Sequence, residues 1–175
     1  TVATLVDRDG EFMVGGANLG GIGLGARWRQ DGTIGALYCA PAAANSASAA
    51  GASLTLGGTN ASQFAGLELS VTDLPLQSFG FFLASRERDL IVMPAGSQGT
   101  LCLGASIGRF VGPGQIQNSG SQGAFSLTID PAALPSPNGP VLPAFGETWN
   151  FQAWFRDANP GLTSNFSSAA SVGVF

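Results

Sequence analysis

Short stretches of alternating apolar and polar residues recur along this chain. Such period-two alternation is typical of strands with one face in a core and the other in water. It is clearest at residues 53–56, 67–72, 124–129 and 148–156. Turn-forming Gly, Pro, Asn and Asp residues separate these stretches. About ten short strands at regular spacing predict an all-β fold, an antiparallel β-sandwich.

Mostly apolar segments supply the remaining predicted strands of this sandwich. They lie at residues 33–38, 79–85, 90–93, 100–103, 107–111 and 168–174. The Ala- and Ser-rich stretch 40–53 is predicted to be a loop, because its Pro, Asn and Gly residues interrupt any helical register.

The first 37 residues differ from the rest in being rich in glycine and β-formers. Segments 2–6 and 11–14 flank the turn sequence Asp-Arg-Asp-Gly, which predicts a hairpin. We therefore divide the chain into an N-terminal segment, 1–37, and a β-sandwich domain, 38–175. A terminal strand of this kind could add to the sheet of a neighbouring copy. The apolar residues that would carry this assembly are Val2, Leu5, Val6, Phe12 and Val14.

The turn of this hairpin carries three carboxylates, Asp7, Asp9 and Glu11. Oxygen ligands at this spacing resemble part of a calcium-binding loop. The further ligands of an EF-hand loop are missing, so an ordinary hairpin turn is the favoured interpretation. We expect no other cofactor.

Charge is sparse in this chain. Charged residues make up 10% of the sequence, the net charge is −4, and the seven basic residues are all arginines. Nucleic-acid binding needs clustered Lys and Arg, so this partner class is excluded. No apolar run approaches the roughly 20 residues of a membrane-spanning helix. The mean hydropathy of +0.25 indicates either a tightly packed sandwich or a subunit buried against copies of itself.

Several catalytic mechanisms are excluded by residue type. The chain has no histidine and no lysine, so Ser-His-Asp, Cys-His, Ser-Lys and Schiff-base sites cannot form. Paired carboxylates remain as general acid and base, but most acidic residues lie at predicted strand ends and turns. The alternating charges at 86–89 predict a surface ion-pair cluster. We therefore expect a protein that is not an enzyme.

Segment 147–157 has the strongest pattern in the chain. Its apolar positions predict a core face: Trp149, Phe151, Ala153 and Phe155. The alternate positions predict a solvated polar face with one aromatic ring: Asn150, Gln152, Trp154 and Arg156. This second face could stack on a sugar ring of a polysaccharide. The alternative is a cation–π contact between Arg156 and Trp154 on an ordinary surface.

The two cysteines, Cys39 and Cys102, favour a disulfide in an extracellular chain. Two buried free thiols are the alternative. Zinc binding is not supported, because there is neither histidine nor a C-x-x-C pair. Asn60 and Asn165 begin sequences that match the N-glycosylation signal.

Several longer motifs are shared with a known kind of domain. They are Y-C-A-P-A-A-A-N-S from Tyr38, G-S-Q-G-T-L-C-L-G-A-S-I-G-R-F from Gly96, G-P-G-Q-I-Q-N-S-G from Gly112, G-E-T-W-N-F-Q-A-W-F-R-D-A-N-P-G from Gly146 and T-S-N-F-S from Thr163. The chain from Tyr38 onward resembles a C-terminal β-sandwich domain of large secreted bacterial proteins of planctomycete type. This resemblance implies secretion and a β-sandwich, is consistent with a Cys39–Cys102 bridge, and implies no catalytic activity. Residues 1–37 lie outside it.

Two functions follow from these observations as hypotheses. The first is a secreted, self-assembling structural subunit of a surface fibre or coat, whose partners are copies of itself. The alternative is an extracellular carbohydrate-binding module that uses the Trp154 face.

Overall fold

The structure is a computed structural model that describes residues 34–57 and 66–174, together with the backbone of three N-terminal strands at 2–6, 12–16 and 27–28. The chain is all-β and its strand pairs are antiparallel, as the sequence predicts. The strands are β1 (Val2–Val6), β2 (Phe12–Gly16), β3 (Arg27–Trp28), β4 (Ala36–Tyr38), β5 (Ser53–Gly57), β6 (Glu68–Thr72), β7 (Phe79–Ser85), β8 (Arg88–Val92), β9 (Thr100–Leu103), β10 (Gly108–Arg109), β11 (Gln117–Asn118), β12 (Phe125–Thr128), β13 (Thr148–Asp157) and β14 (Thr163–Gly173). Single turns of 3-10 helix lie at Pro94–Gly96, Gly120–Gln122 and Pro131–Ala133.

Two facing sheets form the sandwich. The larger has the order β10-β7-β13-β14-β4, with β11 also paired to β7, and the smaller has the order β12-β6-β5. The alternation in β5 and β6 buries Leu54 and Leu69 completely. They pack in one cluster with the predicted core face of β13. Every member of that face is at most 1% exposed, which confirms the core prediction for this strand.

The hairpin formed by β8 and β9 lies on the outer face of the larger sheet. The backbone N–H of Cys102 in β9 donates to the side chain of Gln152 in β13 at 2.9 Å. Arg88 in β8 donates to Asn150 of the same strand at 3.0 Å. The middle strands of the larger sheet are therefore covered on both faces.

A disulfide joins Cys39, which directly follows β4, to Cys102 in β9. The two Cα atoms are 6.4 Å apart, within the range that disulfides span. Tyr38 supports the same junction, because its hydroxyl donates to the carbonyl oxygen of Cys102 at 3.0 Å. The bridge thus ties the edge strand of the larger sheet to the hairpin.

The predicted boundary after residue 37 falls within β4, so it does not mark the start of the sandwich. β4 pairs with β14, and Ile34 already packs in the core at 5% exposure. The boundary cuts through β4 because it follows the resemblance, which begins only at Tyr38, whereas the strand begins at Ala36.

The N-terminal strands form a three-stranded antiparallel sheet of their own, in the order β1-β2-β3. The register of β1 and β2 runs from Val2 opposite Gly16 to Val6 opposite Phe12, so the predicted hairpin is present in the backbone. The side chains of the five proposed assembly residues, and the turn with Asp7, Asp9 and Glu11, lie outside the described residues. In the parts of the chain that are described, no helix has the length and apolar character needed to cross a membrane.

Candidate functional site

The polar face predicted for β13 is largely buried. Asn150 is 1% exposed and Gln152 is fully buried, so the expectation of a solvated face is wrong for these two residues. The physical reason is the hairpin, which covers them and matches their hydrogen-bonding groups. Gln152 Oε1 accepts from the N–H of Cys102, while its Nε2 donates to the carbonyls of Thr100 at 2.9 Å and Ser167 at 2.8 Å. Neither side chain can contact a polysaccharide in this conformation.

Arg88 joins the base of the hairpin to the sheet. Its guanidinium donates to Asn150 Oδ1 and to the hydroxyl of Ser171. It also lies 4.2 Å from the centroid of the Tyr38 ring. Burial raises the pKa of the Tyr38 hydroxyl to about 12, although the nearby positive charge of Arg88 acts in the opposite direction. Tyr38 is therefore a neutral hydrogen-bond donor over the physiological pH range.

The predicted ion-pair cluster at 86–89 does not form among its own residues. Arg86 instead pairs with Glu147, next to β13, at 2.9 Å and lies over the ring of Trp149. Arg88 donates its hydrogen bonds to Asn150 and Ser171. Sequence proximity suggested local pairs, but both arginines instead contact residues in or next to β13 of the larger sheet.

Trp154 borders an open groove between the hairpin and the outer face of the larger sheet. The groove has a volume of about 420 Å³. Its floor includes the rings of Phe81 and Trp154, whose centroids are 4.9 Å apart. The turn of the hairpin, at Pro94 and Ala95, forms part of its wall. The guanidinium of Arg156 lies 5.4 Å from the Trp154 ring centroid, so the predicted cation–π contact is present.

Strand register explains which side chains meet in this groove. Phe81 of β7 is opposite Trp154 of β13, and Leu83 of β7 is opposite Arg109 of β10. Residues directly opposite each other in antiparallel strands project to the same face. Phe81 and Arg109 lie in predicted strands, but they were missed as site residues because local alternation does not show that β7 pairs with β13 and β10. The resulting surface is mostly apolar, and Arg109 is the charged residue among the described parts of its lining.

The outer strand of the hairpin, together with the residue that follows it, exposes four consecutive large apolar residues. Leu90 is 68% exposed, Ile91 40%, Val92 65% and Met93 52%. Among the described strands, only β9 pairs with β8. The N–H of Leu90 is bonded to the side chain of Asp89 at 2.7 Å. This row of residues 90–93, hereafter the β8 strip, is an apolar surface in contact with water.

The buried carboxylate of Asp157 has a structural role. It accepts hydrogen bonds from the backbone N–H groups of Ser46 and Ala158 and from the side chain of Asn165. Burial alone would raise the pKa of Asp157, but these hydrogen bonds outweigh it and lower the pKa below the usual range. Asn165 itself is completely buried, so its side chain is inaccessible to glycosylation in the folded chain.

Glu147 is held in a similar way at the other end of β13. Burial again acts to raise its pKa, but hydrogen bonds from Ala144, Trp149 and Arg86, together with the charge of Arg86, lower it overall. These two carboxylates thus hold loops to the two ends of β13.

Comparison of the chain with protein-family models, with curated proteins and with solved structures finds no match. No activity, ligand or partner is carried over to this chain from a relative. The resemblance to secreted bacterial β-sandwich domains stays a prediction, and the candidate surfaces are the β8 strip and the Trp154 groove.

Proposed function

We propose that this protein is a non-catalytic extracellular structural subunit that associates with copies of itself through the β8 strip. The observation that carries the proposal is the exposure of four consecutive large apolar residues, three at the end of β8 and one directly after it. Burying such a side chain contributes about 1.5–3 kcal/mol. Successive side chains of a strand project to opposite faces, so these residues are presented around the strand rather than on one flat face. Large apolar groups exposed together are characteristic of interaction sites.

A second copy is the partner that fits this strip best. Each copy presents the same apolar row, so a two-fold arrangement would place strip against strip. Repulsion between copies is weak, because only 10% of the residues are charged and the net charge is −4. Few charges provide little protection against association along strand edges.

Side-chain packing is expected to contribute more to this contact than a continuous hydrogen-bonded ladder. The side chain of Asp89 already accepts a hydrogen bond from the N–H of Leu90, so this donor is not available to another strand. The register of β8 with β9 also shifts between Arg88 and Ile91. Both features disturb the regular edge that another strand would need for full pairing.

The extracellular location is supported by the disulfide between Cys39 and Cys102. Disulfides persist in oxidising compartments and are rare in the cytosol. The resemblance of residues 38–175 to domains of secreted bacterial proteins points in the same direction. The filament or coat that such a subunit would build remains part of the proposal.

Strand donation by the N-terminal segment is a second route to the same assembly. In this structure β1 pairs with β2 along its whole length and occupies one end of the sheet order β1-β2-β3. A neighbour could extend that sheet at β1. Deletion of residues 1–14 tests this route, because unchanged assembly by electron microscopy would exclude it.

The β8 strip is tested by measuring the mass of the protein in solution by light scattering over a wide concentration range. We expect the wild type to associate and the double variant Leu90→Lys/Val92→Lys to remain monomeric. A matched control is Leu142→Lys/Leu162→Lys, which places the same charges at apolar residues that are 66% and 100% exposed elsewhere. A wild type that stays monomeric at every concentration would contradict the proposal, as would equal effects of the two double variants.

The carbohydrate-binding alternative is less well supported by the geometry. Of its four predicted contact residues, Asn150 and Gln152 are buried, which leaves Trp154 and Arg156. Sugar recognition relies on several polar groups placed around an aromatic ring. The surface next to Trp154 is instead mostly apolar.

A further inference from the structure

The floor of the Trp154 groove is a preformed apolar surface. Leu83 and Phe166 are 5% and 6% exposed beneath it, and Phe81 and Trp154 pack against the same cluster while remaining partly accessible. Backbone pairing of β13 with β7 and with β14 fixes the positions of Phe81, Trp154 and Phe166. The volume of about 420 Å³ lies within the range of small-molecule sites, which is about 300–1,000 Å³.

Two of the polar groups that line the groove are already hydrogen-bonded to each other. The hydroxyl of Ser97, which is 2% exposed, donates to the carbonyl oxygen of Ser164 at 2.8 Å. That same carbonyl accepts the backbone N–H of Gln98 at 2.9 Å. The groove therefore offers few hydrogen-bonding groups to a ligand with many hydroxyls. A ligand that is mainly apolar suits this lining better.

The charge around the groove is positive, although the chain as a whole is negative. Among the described residues that line the groove, Arg109 alone is charged, and Arg156 lies over the ring of Trp154. Within the described residues, no carboxylate forms an ion pair with either arginine. A guanidinium in this position binds a carboxylate through two parallel hydrogen bonds.

From these observations we infer that the Trp154 groove binds a small amphipathic carboxylate of the fatty-acid class. The hydrocarbon chain lies on the Phe81 and Trp154 rings and contacts Leu101 and Ile107 on the walls. The carboxylate pairs with Arg109. This inference goes beyond the proposed self-association and does not depend on it, because the β8 strip and the groove floor are formed by different residues.

The experiment is titration calorimetry with dodecanoate, below the concentration at which it forms micelles. We expect saturable binding by the wild type and a loss of affinity of about ten- to hundredfold in Arg109→Gln, since hydrogen bonds to charged groups contribute about 1.5–3 kcal/mol. The matched control is Arg86→Gln, which removes an arginine that stacks on Trp149 outside the groove. This control should bind dodecanoate as the wild type does.

A second ligand separates the contribution of charge from that of the apolar chain. Dodecyl maltoside has the same hydrocarbon chain and a neutral head, so it should bind the wild type more weakly than dodecanoate. Arg109→Gln should show little preference between the two ligands. Equal affinity of wild type and Arg109→Gln for dodecanoate would overturn the inference.

Tryptophan fluorescence tests whether the ligand binds in the groove. Dodecanoate should change the emission of the wild type, and the change should disappear in Trp154→Phe, which keeps an aromatic ring on the floor. The measurement is repeated in Leu90→Lys/Val92→Lys to show that binding is independent of self-association. Absence of dodecanoate binding, or tighter binding of a neutral oligosaccharide than of dodecanoate, would refute the fatty-acid assignment.

Discussion

The side chain of Gln152 in β13 accepts the backbone N–H of Cys102 in β9 at 2.9 Å, and this contact holds the outer hairpin on the larger sheet. The same amide donates to the carbonyls of Thr100 and Ser167. All three partners are backbone groups. Two of them, Cys102 and Thr100, lie in β9. The Gln152 amide therefore joins the hairpin to the sheet at a point where their strands are not paired.

Replacement of Gln152 by leucine should destabilise the fold. The change keeps a similar volume but leaves one buried N–H and two carbonyls without their side-chain partner, and each unsatisfied group costs about 1–3 kcal/mol. We expect the free energy of unfolding in urea to fall by at least about 2 kcal/mol. The control is Gln122→Leu at an exposed position, which should change stability by no more than about 0.5 kcal/mol. Similar stability of the two variants would show that the Gln152 contacts contribute little.

The contrast between the two faces of β13 shows what local sequence can predict. Alternation identified Trp149 and Phe151 as core residues, because period two is a property of the strand itself. It could not identify the cover on Asn150 and Gln152, because that cover is a hairpin about fifty residues earlier in the chain. A polar side chain in a strand predicts a solvent-exposed face only where no groups inside the protein are available to form its hydrogen bonds.

β14 illustrates the same limit in another way. The sequence predicted a strand only from residue 168, whereas β14 runs from Thr163 to Gly173. Most of its side chains are small, and those from Asn165 to Val172 are buried on both faces. Alternation disappears in a strand that is covered on both sides. The groove was unpredictable for a related reason, since Arg109 comes beside Leu83 only through pairing between distant strands.

Reduction of the disulfide should lower stability substantially. The bridge between Cys39 and Cys102 spans 63 positions in the sequence. Closing a loop of that length restricts the unfolded chain by about 4 kcal/mol in the chain-entropy model. We expect a reductant to lower the free energy of unfolding of the wild type by about that amount. The double variant Cys39→Ala/Cys102→Ala serves as the control and should not respond to the reductant, whereas an unresponsive wild type would contradict the prediction.

Acid should destabilise the protein partly through Asp157. The folded state lowers the pKa of this carboxyl group, so the unfolded chain binds a proton more readily. Its contribution is therefore fully present above the unfolded pKa of about 4 and is lost as the pH falls through the folded value. Asp157→Asn should be less stable at neutral pH and should lose less stability on acidification. Because the pKa of Glu147 is also lowered, the stability of Asp157→Asn should still fall somewhat as the pH decreases.

Urea midpoints measured from neutral to acidic pH test this expectation. Glu68→Gln is a suitable control, because among the described contacts its side chain accepts no hydrogen bond. This control should retain the acid sensitivity of the wild type. Parallel pH profiles for Asp157→Asn and the wild type would show that other groups account for the acid sensitivity.

Asp89 should limit the self-association proposed for the β8 strip. Its carboxylate accepts a hydrogen bond from the N–H of Leu90 and places a negative charge beside exposed apolar side chains. Removing the carboxylate frees a donor at the strand edge and eliminates like-charge repulsion between two strips, so Asp89→Ala should associate more strongly than the wild type.

The matched control is Glu87→Ala, which removes the same charge two residues away without freeing the N–H of Leu90. If association is measured by light scattering, a larger increase for Asp89→Ala than for Glu87→Ala would identify the freed N–H as the source. Equal increases would attribute the effect to charge alone, and no increase in either variant would mean that Asp89 does not protect this edge.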